Sequence, residues 1–236
     1  MIGVFILGFQ SFFKEFIMKI RRKVFFCVWP LLFIFLLPPH LWGHEVVGEV
    51  TPLMLHADHI ITFIKKGRGE EAVRMAERVY EDFQENGRMG WEAGLRTSSI
   101  RVDETYHSTT HEMISRAIVE KNSSGLKKGI EWLSFLLMLE KFDRLHNMME
   151  KGTVALQTQI TIFWLGRNYF SYLLEPTMGE IDPIEEKRLD RLLDQMLYSL
   201  EDKKWEQFRK QKKELIQSVV RFFQFRLDRV IPKEME

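Results

Sequence analysis

Glutamate and histidine side chains recur at helical spacing between residues 98 and 121, in the stretch SSIRVDETYHSTTHEMISRAIVEK. At about 100° per residue, one stripe of a helix through this stretch carries Glu104, His107 and His111 among isoleucines. A second apolar stripe on the opposite side predicts that the helix is buried between neighbours. Polar groups in such a place are costly unless they are paired or bind a ligand. This stretch is therefore the strongest local indication of chemistry in the chain.

The chemistry that this spacing offers is metal binding by carboxylates and imidazoles. Glu104 and His107 form a Glu-x-x-His pair, as in the helices of carboxylate-bridged di-iron bundles. A second predicted helix repeats an acid-to-histidine interval of three residues at Asp143 and His146. If the two helices pack face to face, their ligands would suit iron, zinc or copper. The predicted metal site consists of Glu104, His107, His111, Asp143 and His146.

The same residues also have a purely structural interpretation. Glu104 and His107 would pair with a basic neighbour such as Arg101, and His111 would lie at a helix–helix boundary. A zinc protease is disfavoured because residues 107–111 read His-Ser-Thr-Thr-His and lack the glutamate of His-Glu-x-x-His. No enzyme is predicted, although a di-iron oxidase is an alternative. It would need further carboxylates on facing helices, for which the candidates are Glu77, Glu81 and Glu140.

Cap residues and apolar periodicity predict the helices that position these side chains. Thr51-Pro52 is an N-cap followed by proline, and Asp182-Pro183-Ile184-Glu185 reads as a capping box. No strand alternation is present, and the short connections favour an antiparallel bundle of six or seven helices. Residues 126–151 are apolar nearly all round and form the predicted central helix. The predicted helices cover residues 51–67, 70–85, 98–121, 126–151, 152–175, 183–200 and 203–229.

Composition excludes several classes of function. The 236 residues suffice for a full core, and the single cysteine, Cys27, lies in the apolar N-terminal segment. The remaining chain therefore holds no disulfide scaffold, cysteine-ligated zinc, iron–sulfur cluster or c-type haem attachment. Beyond residue 43 the charge is near neutral, which argues against nucleic acid as a partner. The basic stretch at 203–213 is interleaved with glutamate and predicts a solvated helix face.

The N-terminal 43 residues have the pattern of a targeting segment. A basic run at 19–23 precedes an apolar run at 24–37, which is shorter than the roughly 20 residues that cross a membrane. We predict a signal peptide cut near Gly43, an uncleaved anchor being the alternative, with Met18 as a candidate true start. The body at 44–236 would then be periplasmic or otherwise exported, or anchored and facing the periplasm.

Residues 72–104, AVRMAERVYEDFQENGRMGWE…SSIRVDE, resemble the exported helical domains found with bacterial high-affinity iron permeases. The matching positions are Tyr80, Phe83, Gly87, Ser98, Arg101 and Glu104. The chain lacks the Arg-Glu-x-x-Glu iron-translocation motif, so the resemblance does not extend to the permease itself. The predicted helices at 51–67 and 70–85, joined by a short Gly-Arg-Gly turn, should form an antiparallel hairpin. This hairpin is also similar to small periplasmic metal-binding hairpins, which carry more histidines. Both resemblances imply an exported protein that handles metal ions.

Two main hypotheses follow. The first is an exported helical bundle that binds or delivers a transition metal, with iron favoured, and a membrane metal permease or another envelope protein as its partner. The second is a metal-free helical scaffold or adaptor at the cell envelope that uses its aromatic C-terminal helix to bind a partner. A stoichiometric metal that is lost with His107 and His111 would favour the first hypothesis over the second.

Overall fold

Helices make up most of the described chain. The computed structural model describes residues 50–85, 90–152 and 154–225, which lie in one compact unit, Val47–Glu236. Within these ranges no strand ladder forms, and an isolated antiparallel bridge joins Phe83 to Glu92. The all-α prediction is confirmed. The predicted signal peptide or anchor at 1–43 lies outside the described residues.

The first two helices pack against each other, as the predicted hairpin requires. Helix α1 (Pro52–Lys65) begins where Thr51 Oγ1 accepts a hydrogen bond from the Met54 amide at 3.3 Å. Gly67 has a φ of +73°, a left-handed conformation that suits glycine and ends the helix. Helix α2 (Gly69–Arg78) follows and packs on α1.

Helix α2 ends earlier than the sequence predicts, so the predicted extent of 70–85 is wrong at its C-terminal end. The carbonyls of Val79 and Tyr80 accept the amides of Leu95 and Arg96, at 2.9 and 2.8 Å, rather than amides further along α2. The chain therefore turns away after Arg78. Gly94 makes this contact sterically feasible, because a Cβ atom at this position would lie 2.1 Å from the Glu81 carbonyl oxygen.

The stretch at 98–121 folds as two helices rather than one. Helix α3 (Leu95–Tyr106) and helix α4 (Thr110–Val119) are separated at His107, which has a left-handed φ of 52°. Serine and threonine fill residues 108–110, and their side chains offer the backbone an alternative to helical hydrogen bonds. The predicted single helix, and the continuous stripe of ligands on it, are therefore wrong.

Helix α5 (Ser123–Lys151) is the central element, as predicted. The Asn122 side chain caps it by accepting the Gly125 amide at 2.9 Å. Gly152, with a φ of +63°, ends it. Helix α5 packs against the first four helices, the two segments that follow it and the last helix. This arrangement accounts for the apolar residues on nearly all of its faces.

A π-helical segment joins the next two helices. Helix α6 (Leu156–Tyr169) runs into a π-helical segment, Phe170–Leu174, and then into helix α7 (Glu175–Ile181). The sequence predicts a helix that ends at residue 175, just before Pro176, but Pro176 lies in the first turn of α7. A proline has no amide to donate and crowds the carbonyl four residues earlier. The wider π-helical segment accommodates both the missing amide and the bulk of the ring. The helical path therefore continues past Pro176.

The last two helices form a second packed pair. Helix α8 (Pro183–Glu201) begins at Asp182, whose Oδ1 accepts the amides of Ile184 and Glu185 at 3.1 and 3.0 Å. Helix α9 (Trp205–Phe223) packs on α8 and on α5. The predicted end at 229 lies outside the described residues. Among the described helices, none has the length and apolarity to cross a bilayer.

Candidate functional site

The break at His107 separates the ligands predicted on α3 and α4. Asp103, near the end of α3, accepts the amides of Thr110 and His111, each at 2.8 Å, and so caps α4. Glu104 and His107 are both exposed to solvent. They stand on the last turn of α3 and at the break, whereas His111 belongs to the next helix. The structure thus does not form the predicted row of three ligands.

Of the three histidines predicted as ligands, His111 and His146 are half-buried, and each has a partner within the protein. The His111 ring stacks on Tyr80 with centroids 6.2 Å apart, and its Nδ1 lies 3.5 Å from Ser99 Oγ. On α5, His146 Nε2 lies 3.1 Å from Glu150 Oε1, one helical turn further on. Both imidazoles are thus accommodated by contacts within the bundle.

Asp143 is the centre of a charged cluster between three helices. Its Oδ2 accepts a hydrogen bond from Tyr106 Oη of α3 at 2.9 Å, and its Oδ1 accepts one from Lys212 Nζ of α9 at 2.5 Å. The Tyr106 and Lys212 residues are only 4% and 6% exposed. Burial, reinforced by the negative charge of Asp143, raises the pKa of Tyr106 above its usual range, so the phenol stays protonated and donates.

Lys212 belongs to this cluster but is not among the residues that the sequence predicts for the site. It lies in the stretch 203–213, predicted as a solvated face, but this lysine is buried. The sequence does contain an indication that Lys212 is buried. Helical spacing places it on the same stripe as the apolar residues Phe208, Leu215 and Val219, which are buried. A charge on an apolar stripe indicates a buried partner, which here is Asp143.

The predicted metal ligands do not converge. Among the residues that the structure describes, no group of three or more histidine, cysteine, aspartate or glutamate side chains could hold a metal ion. Of the further carboxylates considered for a di-iron centre, Glu77 is exposed, Glu81 pairs with Arg96 at 2.8 Å and Glu140 pairs with Arg101 at 3.2 Å.

An open groove of about 470 Å³ lies beside the Asp143 cluster. Its walls come from the end of α3, through Thr105 and Tyr106, and from the C-terminal half of α5. Val154, just after α5, contributes to the lining. The volume is within the range of about 300–1,000 Å³ that is typical of small-molecule sites.

Two further carboxylates lie near α7, one of them buried and the other half-buried. Glu131, which is 5% exposed, accepts a hydrogen bond from Thr177 Oγ1 at 2.9 Å and pairs with Lys127 Nζ at 2.7 Å. Glu175, at the start of α7, has a pKa raised to about 7, chiefly by burial and also by the neighbouring carboxyl of Glu186. The surroundings of each carboxylate include residues from other helices, so no local motif in the sequence indicates either of them.

Comparisons with known proteins gave no match to this chain among protein-family models, curated proteins or solved structures. The resemblance to iron-permease-associated domains therefore stays a prediction. Of its matching positions, Gly87 lies outside the described residues.

Proposed function

We propose that this protein is a metal-free helical binding scaffold at the cell envelope, the second of the two hypotheses that the sequence raises. The observation that supports this choice is the pairing of Asp143 with Lys212. Asp143 is the carboxylate that the second predicted ligand-bearing helix would contribute to the metal site. In the structure its charge is balanced by a lysine ammonium from α9.

The ammonium of Lys212 supplies the positive charge that a metal ion would bring. An ion at the Asp143 carboxylate would have to displace a buried cation and leave it unpaired, which is strongly unfavourable. The Tyr106 hydroxyl occupies the second oxygen of the same carboxylate. Neither oxygen is therefore free of a protein donor.

The aromatic residues at the end of α9 and just after it, Phe223 and Phe225, stack on each other and contribute to packing within this chain. The Phe225 ring lies 4.7 Å from the Trp132 ring and 5.3 Å from the Phe135 ring, measured between centroids. These side chains support α5, so we assign binding to the groove beside Asp143 rather than to the aromatic end of α9. The basic and apolar runs at 19–37 support a location at the envelope.

Metal analysis of the full-length chain, purified without a histidine tag, tests the proposal. We expect no stoichiometric iron, copper or zinc, and no difference between the parent and a His107→Ala/His111→Ala variant. About one equivalent of metal in the parent that is absent from the variant would overturn the proposal and favour metal handling.

A further inference from the structure

The groove beside Asp143 has an uneven distribution of charge. Two of its lining residues are acidic, and both are already neutralised. Glu140 lies 3.2 Å from Arg101 Nε and 2.8 Å from Lys141 Nζ, and Asp143 is paired with Lys212. The acidic side of the groove therefore presents little free negative charge to a ligand.

The basic side of the groove is not neutralised. Arg144 and Lys151 line the groove, are exposed, and have no carboxylate partner among the described residues. They lie seven residues apart on α5, two helical turns or about 10 Å along the axis. Asn147, which also lines the groove, lies between them and adds two amide donors. The groove thus offers a row of hydrogen-bond donors with a net positive charge.

An apolar surface lies next to this row of donors. Met148 and Val154, both half-buried, line the same groove, together with Tyr106. The Tyr106 hydroxyl is committed to Asp143, so the residue cannot serve as a free donor to a ligand. Because Asp143 is also held by Lys212, this wall of the groove is fixed between three helices. A ligand would meet a fixed wall and an apolar surface, with cations along one edge.

We propose that this groove binds an amphipathic organic anion, a carboxylate or phosphate headgroup on an apolar body. The headgroup would be bound by Arg144, whose planar guanidinium suits both anions, with Asn147 and Lys151 along the same edge. The apolar body would cover Met148 and Val154. The inference rests on the proposed function, since it names the class of ligand that the metal-free scaffold binds.

Calorimetric titration of the full-length chain with decanoate and with decyl phosphate tests the inference. Decyltrimethylammonium, a cation with a tail of the same length, is the counter-probe. We expect the anions to bind, the cation not to bind, and the anion affinity to fall with ionic strength because the cations are exposed. Whichever anion binds more tightly identifies the headgroup.

Paired variants locate the binding. Arg144→Gln/Lys151→Gln should weaken anion binding by about tenfold or more. The matched control, Lys128→Gln/Lys187→Gln, removes two exposed cations elsewhere and should leave the affinity within about twofold. Met148→Glu, which places a carboxylate in the groove, should also abolish binding. Thermal melting of each variant confirms that the fold is retained.

The outcomes separate the two proposals. Equal binding of the anions and the cation, or an unchanged affinity in Arg144→Gln/Lys151→Gln, would overturn the groove inference and leave the metal-free scaffold standing. Anion binding that requires added Zn²⁺ or Fe²⁺ would overturn the scaffold proposal itself.

Discussion

At the scale of single residues, the pairing of buried charges decides which side chains are available for binding. The sequence indicates Asp143 as a candidate metal ligand, because it lies three residues before His146. It does not identify the lysine that neutralises Asp143, because Lys212 lies 69 residues away on a helix whose packing the sequence leaves open. The position of Lys212 on an apolar stripe is a signal that the sequence does contain.

Breaking the Asp143–Lys212 pair should destabilise the protein. We expect Lys212→Met to lower the free energy of unfolding by about 3 kcal/mol, because it leaves a partly buried carboxylate without its cation. The exposed neighbour is the control, and Lys213→Met should change stability by less than about 0.5 kcal/mol. Urea denaturation measures both.

A double variant distinguishes the charge pair from simple packing. Asp143→Asn keeps an acceptor for the Tyr106 hydroxyl but carries no charge, so adding it to Lys212→Met should restore part of the loss. Strictly additive effects of the two substitutions would show that the pair does not interact.

Glu175 should make stability depend on pH. Its folded pKa of about 7 lies above the ordinary value of 4.5, so below pH 4.5 the group is protonated in both states and has no effect. As the pH rises from 4.5 to 7, the unfolded state loses the proton first and stability falls. Above pH 7 the penalty is complete.

Replacing this carboxyl with an amide tests the assignment. Glu175→Gln should raise the melting temperature at pH 8 and have little effect at pH 4. Each kcal/mol gained in the free energy of unfolding should raise the melting temperature by about 2–4 °C. The exposed Glu201→Gln is the control and should behave like the parent at both pH values. A pH-independent effect of Glu175→Gln would contradict the raised pKa.

At the scale of elements, the sequence predicts most helices and places several ends wrongly for identifiable reasons. The caps at Thr51 and Asp182 have direct local signals and are found as predicted. The break at His107 was missed because apolar periodicity continues through it. Two features of the sequence oppose a continuous helix. Serine and threonine at 108–110 favour a break, and Asp103 caps the helix that begins after it. The end of α2 was missed because it depends on amides of α3.

The left-handed residue at the break provides a test of the two-helix arrangement. His107→Gly should stabilise the protein by about 0.5–1 kcal/mol, because glycine adopts a positive φ without a steric penalty. Thr105→Gly, inside α3, is the matched control and should destabilise by a similar amount. If 98–121 were one continuous helix, both substitutions would be destabilising. Thermal or urea unfolding of the two variants decides between these arrangements.

At the scale of the whole molecule, the fold class followed from the sequence and the site did not. Residues 126–151 are apolar on nearly all sides, which correctly predicts a central helix. The metal site required one unbroken helix and a particular face-to-face packing of two helices. Periodicity does not determine which faces meet, and α9 supplies the charge that occupies the centre. Arg144 and Lys151 become a candidate site only once the acidic residues beside them are seen to be paired.

The most direct test of the central claim is anomalous diffraction from crystals of this chain grown with Fe²⁺ or Zn²⁺. We expect no metal peak near Asp143, and we expect Lys212 Nζ to be in hydrogen-bond contact with its carboxylate. A peak at metal–ligand distance, about 2.0–2.2 Å, from Asp143 together with His146 or His111 would contradict the metal-free scaffold.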